Sequence, residues 1–221
     1  MLLRPPRESR SISWLFVVIW TLIIFVTIPL ARTIQKYVSL HWGRDLFTYT
    51  VLIAIVIAFV VAAIHVIRHR SISRDSYLWL IAVAVILIGY TIKLGEKSPE
   101  EAIHFFQYGM LSILVYRALT HRVQDISLYL SGAIICGIIG ALDEAVQWLI
   151  PDRYWSLRDI WINFFASSLV QIGIAKGLKP SFIAKLPNRA SLRFLCCLLL
   201  VAVVLVGACL LNTPRRIAWY A

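Results

Sequence analysis

The sequence predicts an all-α fold, a polytopic transmembrane helix bundle of about seven spans. Of its 221 residues, 60% are hydrophobic and only 15% are charged, so there is too little polar surface to cover a soluble domain. The mean hydropathy of +0.81 agrees with this. Seven apolar runs approach the roughly 20 residues that cross a bilayer as a helix. Within lipid a helix satisfies its own backbone hydrogen bonds, which makes it the expected structure for these runs.

The first element is a basic segment, residues 1–12, followed by an apolar run over 13–30. A basic start before an apolar run is also typical of a signal peptide. However, the Pro-Leu-Ala sequence beside Arg32 is a poor cleavage site, so we predict an uncleaved span. The predicted spans are, in order, 13–30, 46–67, 77–94, 102–119, 126–150, 159–175 and 192–211.

The net charge of +11 comes largely from lysines and arginines in short segments between the apolar runs. No basic-aromatic patch or zinc-finger spacing accompanies it, so we predict no nucleic-acid partner. Basic short loops mark the cytoplasmic side of a membrane protein and contact anionic lipid. We therefore predict a multi-pass protein with a cytoplasmic N-terminus and cytoplasmic loops at 68–74, 117–122 and 176–193. The loop after the first span, with Arg32 and Lys36, does not fit this alternation.

The sequence predicts neither a cofactor nor a metal site. No G-x-S-x-G motif or Gly-rich phosphate loop is present. A divalent cation held by carboxylates and His104 is chemically feasible, but the spacing matches no standard metal signature. The cysteines lie in apolar runs without a C-x-x-C pair, which favours small hydrophobic residues over disulfides. They are Cys136, Cys196, Cys197 and Cys209.

The fifth run carries two adjacent carboxylates, Asp143 and Glu144, where each costs a few kcal/mol on membrane-insertion scales. Such a pair indicates a functional site. Gln147 is spaced to bridge either carboxylate. Because neighbours on a helix point about 100° apart, we expect Asp143 and Glu144 to have different partners. The alternative is a structural ion pair, with Lys93 or Arg153 as the cation.

In the fourth run, Glu101, His104 and Tyr108 are spaced to share one helix face. This pattern fits a polar face turned into the bundle, with His104 as an acid, base or ligand. The alternative is an interfacial histidine hydrogen-bonded to a neighbouring helix.

In the sixth run, Asp159 stands at the expected helix start and Asn163 one turn later. Asp159 is explained equally well as an N-cap or first-turn acid, and Asn163 as an interhelical hydrogen-bonding group. Arg153 and Arg158 flank the helix entrance. Arginine suits recognition of phosphate or carboxylate, although anchors at the membrane surface look the same in sequence.

These motifs together resemble the VanZ-like family of bacterial integral membrane proteins. The resemblance covers about residues 77–178 and implies a four-helix core there. Residues 1–76 are then an N-terminal two-span extension, and 179–221 a C-terminal basic loop with the last span. Many members carry a lysine where this chain has Glu101. The residues that carry the resemblance are Glu100-Glu101-Ala-Ile-His104 to Tyr108, Asp143-Glu144-x-x-Gln147, Pro151-x-Arg153, Asp159 and Asn163.

The family is associated with resistance to teicoplanin-type glycopeptide antibiotics, and no biochemical activity is established for it. The resemblance implies a bacterial inner-membrane protein. From the loop charges and the polar residues we predict that a site at its extracytoplasmic face binds or processes an anionic lipid-linked or cell-envelope ligand. Asp143, Glu144 and His104 are the candidate catalytic residues. The candidate ligand-binding residues are Arg153, Arg158, Gln147, Tyr108, Asp159, Asn163 and Glu101. Alternatively, the protein is a non-catalytic structural or accessory protein whose polar cluster only stabilises the bundle.

We predict the topology as follows. In a background without native cysteines, Ser98→Cys should be labelled by a membrane-impermeant thiol reagent and Ser181→Cys should not. The reason is the bias of lysine and arginine toward cytoplasmic loops. The measurement uses intact cells with a permeabilised outer membrane. Labelling at position 181 but not at 98 would invert the topology.

Overall fold

The structure, a computed structural model, describes residues 5–43, 46–68, 74–97, 99–148 and 156–210. Within these ranges the chain forms helices and no strand, which confirms the predicted all-α fold there. A π-helical segment, Gly173–Leu178, continues α6. The α-helices are α1 Arg10–His41, α2 Leu46–Arg68, α3 Arg74–Lys97, α4 Pro99–Leu119, α5 Ser127–Trp148, α6 Leu157–Ile172 and α7 Arg189–Leu210.

Four of the described helices are long and apolar enough to cross a membrane, by length and composition. They supply the stretches Arg10–Thr27, Arg74–Glu96, Ser127–Gln147 and Arg189–Leu210. Helix α2 contains a shorter apolar stretch, Thr48–Ile64. The fold is therefore compatible with a multi-pass membrane protein, and the count of seven spans stays a prediction.

Helix α4 lies at the centre of the bundle. It contacts α1, α2, α3, α5 and α6, whereas α7 packs on α5. Phe105, Tyr108, Leu111 and Val115 of α4 are fully buried. A helix that carries Glu101 and other polar groups is thus covered by neighbouring helices, which can satisfy those groups as lipid cannot.

Helix α1 corrects the predicted loop after the first span. It continues from Arg10 to His41, so Arg32 and Lys36 lie in a helix and not in a loop. An apolar run shows only where a helix crosses lipid, whereas helical hydrogen bonding continues into polar sequence. The helix stops where Gly43 adopts a φ of 87°, a conformation that costs glycine little.

Contacts between α1 and α4 show that the two helices run antiparallel. Before the start of α1, Glu8 forms an ion pair with Arg117 near the end of α4. Farther along α1, Trp20 Nε1 donates to the Gln107 carbonyl over 2.9 Å. The N-terminal segment and residues 117–122 therefore lie at the same end of the bundle, as their predicted common side of the membrane requires.

At that end, Asp125 joins the α4–α5 connection to the segment before α7. Its Oδ1 accepts from Ser127 N and Oγ at 3.0 and 2.6 Å. Its Oδ2 accepts from Asn188 N and Nδ2 at 3.3 and 3.2 Å. Burial by itself would raise the pKa of Asp125, but hydrogen bonds from Ser127, Ser191 and Asn188 outweigh it and lower the pKa. The charged carboxylate therefore holds the two segments together.

We expect Asp125→Ala to lower the free energy of unfolding by about 1–3 kcal/mol, because buried donors lose their acceptor. Thermal unfolding in detergent measures the change. Asp75→Ala is the matched control, since Asp75 is an exposed first-turn acid of α3, and its effect should be smaller.

The same pair of variants tests the charge. A lowered folded-state pKa stabilises above the unfolded value of about 3.9, and this contribution is lost as the pH falls through the folded pKa. The gap in thermal midpoint between the wild type and Asp125→Ala should therefore shrink in that window. A gap that widens as the pH falls would contradict the assignment.

Candidate functional site

The two carboxylates of α5 are buried against protein. Asp143 is 0% and Glu144 1% exposed, so both side chains face protein, as expected for carboxylates in an apolar run. Both lie in the last two turns of α5, which ends at Trp148. Buried carboxylates need hydrogen-bond donors, and these come from α4, from α5 itself and from the start of α6.

Asp143 is turned toward α4. Its Oδ2 accepts a hydrogen bond from the Tyr108 hydroxyl over 3.0 Å. His104 Nδ1 lies 3.9 Å from the same oxygen, close enough for an ion pair but too far for a hydrogen bond. The predicted shared face of α4 thus brings His104 and Tyr108 to one carboxylate.

Glu144 is turned toward the start of α6. Its Oε2 accepts from the backbone N–H of Ser156 over 3.0 Å, and its Oε1 accepts from Gln147 Nε2 over 3.1 Å. Gln147 Nε2 also lies 3.5 Å from Asp143 Oδ1. These bonds confirm that the two carboxylates have different partners and that Gln147 lies between them.

The start of α6 differs from its predicted position at Asp159. Ser156 is the N-cap, and its Oγ accepts from the backbone N–H of Asp159 over 3.3 Å. Asp159 therefore lies in the first turn and is not the N-cap. Ser156 and Asp159 have the spacing of a capping box, a signal that the sequence contained. The N–H of Ser156 is bonded by Glu144, which ties α5 to α6.

Arg158 lies in the first turn of α6 and contacts α4. Its two terminal nitrogens donate to the two oxygens of Glu101, each over 2.7 Å, which links α6 to α4. The Arg158 side chain is 55% exposed and that of Glu101 18%. Arg153 lies outside the described residues. Lys93, the other cation considered for Asp143, is exposed on α3.

Asn163 lies where α4, α5 and α6 meet. It is 2% exposed, and its Oδ1 has no hydrogen-bond partner among the described residues. Gly140 of α5 faces it. A Cβ added at Gly140 would lie 3.2 Å from Asn163 Cβ and 3.5 Å from Tyr108 Cε1. The glycine therefore makes room for both side chains.

His104 is the member of the cluster that reaches the surface, with 22% of its side chain exposed. Two apolar cavities lie elsewhere in the described bundle. One of about 260 Å³ lies between α5, α6 and α7, and one of about 220 Å³ between α2, α3, α4 and the π-helical segment. Neither of these two cavities is lined by His104, Asp143 or Glu144.

Among the described residues, no group of three or more His, Cys, Asp or Glu side chains is placed to hold a metal ion. The chemistry that the cluster supports is proton transfer and hydrogen bonding. Its members are an imidazole, a phenol and two carboxylates, His104, Tyr108, Asp143 and Glu144.

Sequence reasoning missed four polar residues that take part in this region. Ser156 has the capping-box signal described above. The other three are a serine of α4 and two polar residues of α6, which repeat at four-residue intervals from Tyr108 and from Asn163. They are Ser112, Ser167 and Gln171.

No family model matches this chain, and neither a curated protein nor a solved structure was found to be similar to it. The VanZ-like resemblance therefore stays a prediction that rests on the quoted residues.

Gly140→Ala should destabilise the protein by about 1–3 kcal/mol, because the added methyl group overpacks the contact with Asn163 and Tyr108. Gly89→Ala is the matched control. Apart from its own turn of helix, no described atom lies within 4 Å of its Cβ position, so better helix propensity should leave stability equal or higher. Thermal midpoints in detergent compare the two. Equal midpoints for the two variants would show that the three helices do not meet as described.

Proposed function

We propose that this chain is a VanZ-like, seven-span protein of the bacterial inner membrane with a proton-transfer site at its extracytoplasmic face. The site acts on an anionic lipid-linked or cell-envelope ligand. One observation carries the proposal: the Nδ1 of the partly exposed His104 has no hydrogen-bond partner in the described part of the chain and lies 3.9 Å from the buried Asp143 carboxylate.

His104 is the group that exchanges a proton with the ligand. A carboxylate beside one ring nitrogen selects the tautomer of an imidazole and stabilises its protonated form. A shift of about 1 Å brings Nδ1 into hydrogen-bond range of Asp143 Oδ2, and catalytic hydrogen bonds are commonly long before a ligand binds. His104 Nε2 then accepts or donates the proton.

Asp143 is held for this role from both sides. Tyr108 donates to Oδ2, and Gln147 lies against Oδ1. These contacts fix the carboxylate relative to His104. Glu144 holds the start of α6, which carries Arg158, through the N–H of Ser156. Glu144 thus acts on the geometry of the site.

Arg158 is the proposed contact for the anionic part of the ligand. Its planar guanidinium matches the two oxygens of Glu101, and the same fork matches phosphate or carboxylate. The Arg158 side chain is 55% exposed, so a ligand anion can reach the guanidinium from solvent and compete with Glu101 for it. Arg153, five residues earlier, is proposed as the second cation.

The basic segments at the opposite end of the bundle support the proposed extracytoplasmic position of the site. The cluster lies at the end of the bundle opposite to residues 117–122 and the N-terminal segment, which are basic and predicted to be cytoplasmic. Trp161, 58% exposed one turn beyond Arg158, is typical of the interfacial level of a bilayer.

The second candidate function is structural. The two carboxylates are almost fully buried. Tyr108 bonds Asp143, and Gln147 and Ser156 bond Glu144. In this second function the cluster only holds α4, α5 and α6 together. Removing one partner of a buried charged pair typically costs about 3–5 kcal/mol.

Asp143→Asn separates the two functions. The amide oxygen can still accept from Tyr108, so the variant should insert and keep a near-normal thermal midpoint, but it cannot stabilise protonated His104. We expect loss of the envelope phenotype, measured as glycopeptide sensitivity or the level of lipid-linked intermediates. His104→Gln should lose it as well.

Asp75→Asn, at the exposed start of α3, is the matched control and should behave as the wild type. A phenotype that falls only in proportion to folded protein would support the structural function. A normal phenotype in both folded site variants would refute proton transfer by this cluster.

A further inference from the structure

A line of buried polar side chains continues from Asp143 into the middle of the bundle. On α4 and α6 its members repeat every four residues, so on each helix they occupy one face. This polar column consists of Tyr108 and Ser112 of α4, Cys136 of α5, and Asn163, Ser167 and Gln171 of α6.

Hydrogen bonds connect the column between α4 and α6. Ser167 Oγ lies 3.2 Å from the Tyr108 carbonyl and 2.9 Å from the Asn163 carbonyl. Ser112 Oγ donates to the Ser167 carbonyl over 2.9 Å. Gln171 Nε2 lies 3.0 Å from the Ser112 carbonyl and 2.9 Å from its Oγ.

Helix α5 closes the column with small residues. Gly140 faces Asn163, and the Cys136 thiol interacts with Ser112 and Ser167. A Cβ added at Gly132 would lie only 2.8 Å from Gln171 Nε2. From Gly132 to Asp143 the column follows α5 for about 16 Å, at 1.5 Å per residue. It starts five residues after the beginning of α5 and stops five before its end.

The column holds oxygen atoms that receive no hydrogen bond from the described residues. Asn163 Oδ1 and Gln171 Oε1 have no hydrogen-bond partner among the described residues, and both side chains are 2% exposed. Ser131 Oγ, next to Gly132 in the sequence, is also buried and has no partner within the described ranges. Buried polar atoms left by the protein are commonly satisfied by internal water, which needs a polar site of this kind.

A column with only a structural role would not need oxygen atoms that lack a hydrogen-bond donor. Serine hydroxyls that bond a neighbouring helix hold a membrane bundle together, and Ser112 and Ser167 do so here. Asn163 and Gln171 go further, because each keeps a carbonyl oxygen for a donor that the described residues do not supply. These two oxygens lie at separate levels of the column.

We propose that internal water binds at Asn163 Oδ1 and Gln171 Oε1 and that the hydrated column conducts protons between Asp143 and the opposite end of the bundle. At each step a water or serine oxygen accepts a proton on one side and releases another on its other side. Only O–H bonds break and form, so neither oxidant nor reductant is needed. The amide oxygens orient the waters. The hydroxyls of Ser131 and Ser127 continue the proposed proton path toward Asp125.

Proton flux through the purified full-length protein tests this. We would reconstitute it in phosphatidylcholine vesicles with a trapped pH dye and drive protons inward with a potassium diffusion potential. Wild-type vesicles should acidify faster than protein-free vesicles, and Asn163→Leu and Gln171→Leu should each lose that difference. Thr91→Val is the matched control, and its flux should stay normal. Thr91 of α3 is also fully buried and its hydroxyl has no partner among the residues that the structure describes, but it lies outside the column.

Absence of flux in the wild type, or equal loss in Thr91→Val, would overturn the proposal. If the wild type conducts protons but Asp143→Asn leaves the envelope phenotype unchanged, the column proposal stands and the proposed function is rejected. The two ideas therefore fail separately.

A second measurement tests the proposal even if the leucine variants do not fold. In Cys196→Ala/Cys197→Ala/Cys209→Ala protein the column is unaltered, and Cys136, 0% exposed, is the remaining thiol. Infrared spectroscopy after transfer to D2O reports its S–H to S–D exchange. A hydrated column predicts exchange long before global unfolding. Exchange only at the rate of global unfolding would show a dry column and refute the proposal.

Discussion

The need to satisfy two buried carboxylates constrains the whole bundle. Asp143 and Glu144 are 0% and 1% exposed, and an uncompensated charge at such a site is expensive. Their directions on α5 differ by about 100°, so one set of donors cannot serve both. Asp143 takes Tyr108 of α4, and Glu144 takes the N–H of Ser156 at the start of α6. The close packing of these three helices follows from that requirement.

This constraint explains why the less apolar helices lie inside. Helix α4 carries Glu101, His104 and Gln107, and five other helices surround it, whereas α7 exposes much of its apolar surface. In lipid, apolar side chains gain little by leaving the bilayer, so polar contacts and close packing decide which helix is central. The placement of α4 therefore reflects its polar face more than its hydropathy.

Two glycines of α5 allow polar side chains of α6 to approach α5 closely. Gly140 and Gly132 let Asn163 and Gln171 of α6 lie directly against α5, where any Cβ would meet them at 3.2 Å or less. The proposed proton-transfer cluster and the polar column are consequently parts of one interface. The Glu101–Arg158 pair lies at one end of that interface, and Asp125 joins two segments of the chain at the other end.

The sequence by itself determined the helices and much of the cluster. Apolar runs predicted each helix to within a few residues, apart from the polar continuation of α1 through Arg32 to His41. Helical spacing put His104 and Tyr108 on one face and Gln147 beside both carboxylates, because these relations are local. The role of the cluster and the VanZ-like family stay predictions.

Only the tertiary structure decided which helix each face meets. The bonds from Ser156 to Glu144 and from Arg158 to Glu101 depend on how α6 is rotated and placed, as does the continuity of Ser112, Ser167 and Gln171. Spacing along a chain fixes the neighbours on one helix. It carries no information on the rotation of one helix against another, which close packing at Gly132 and Gly140 sets.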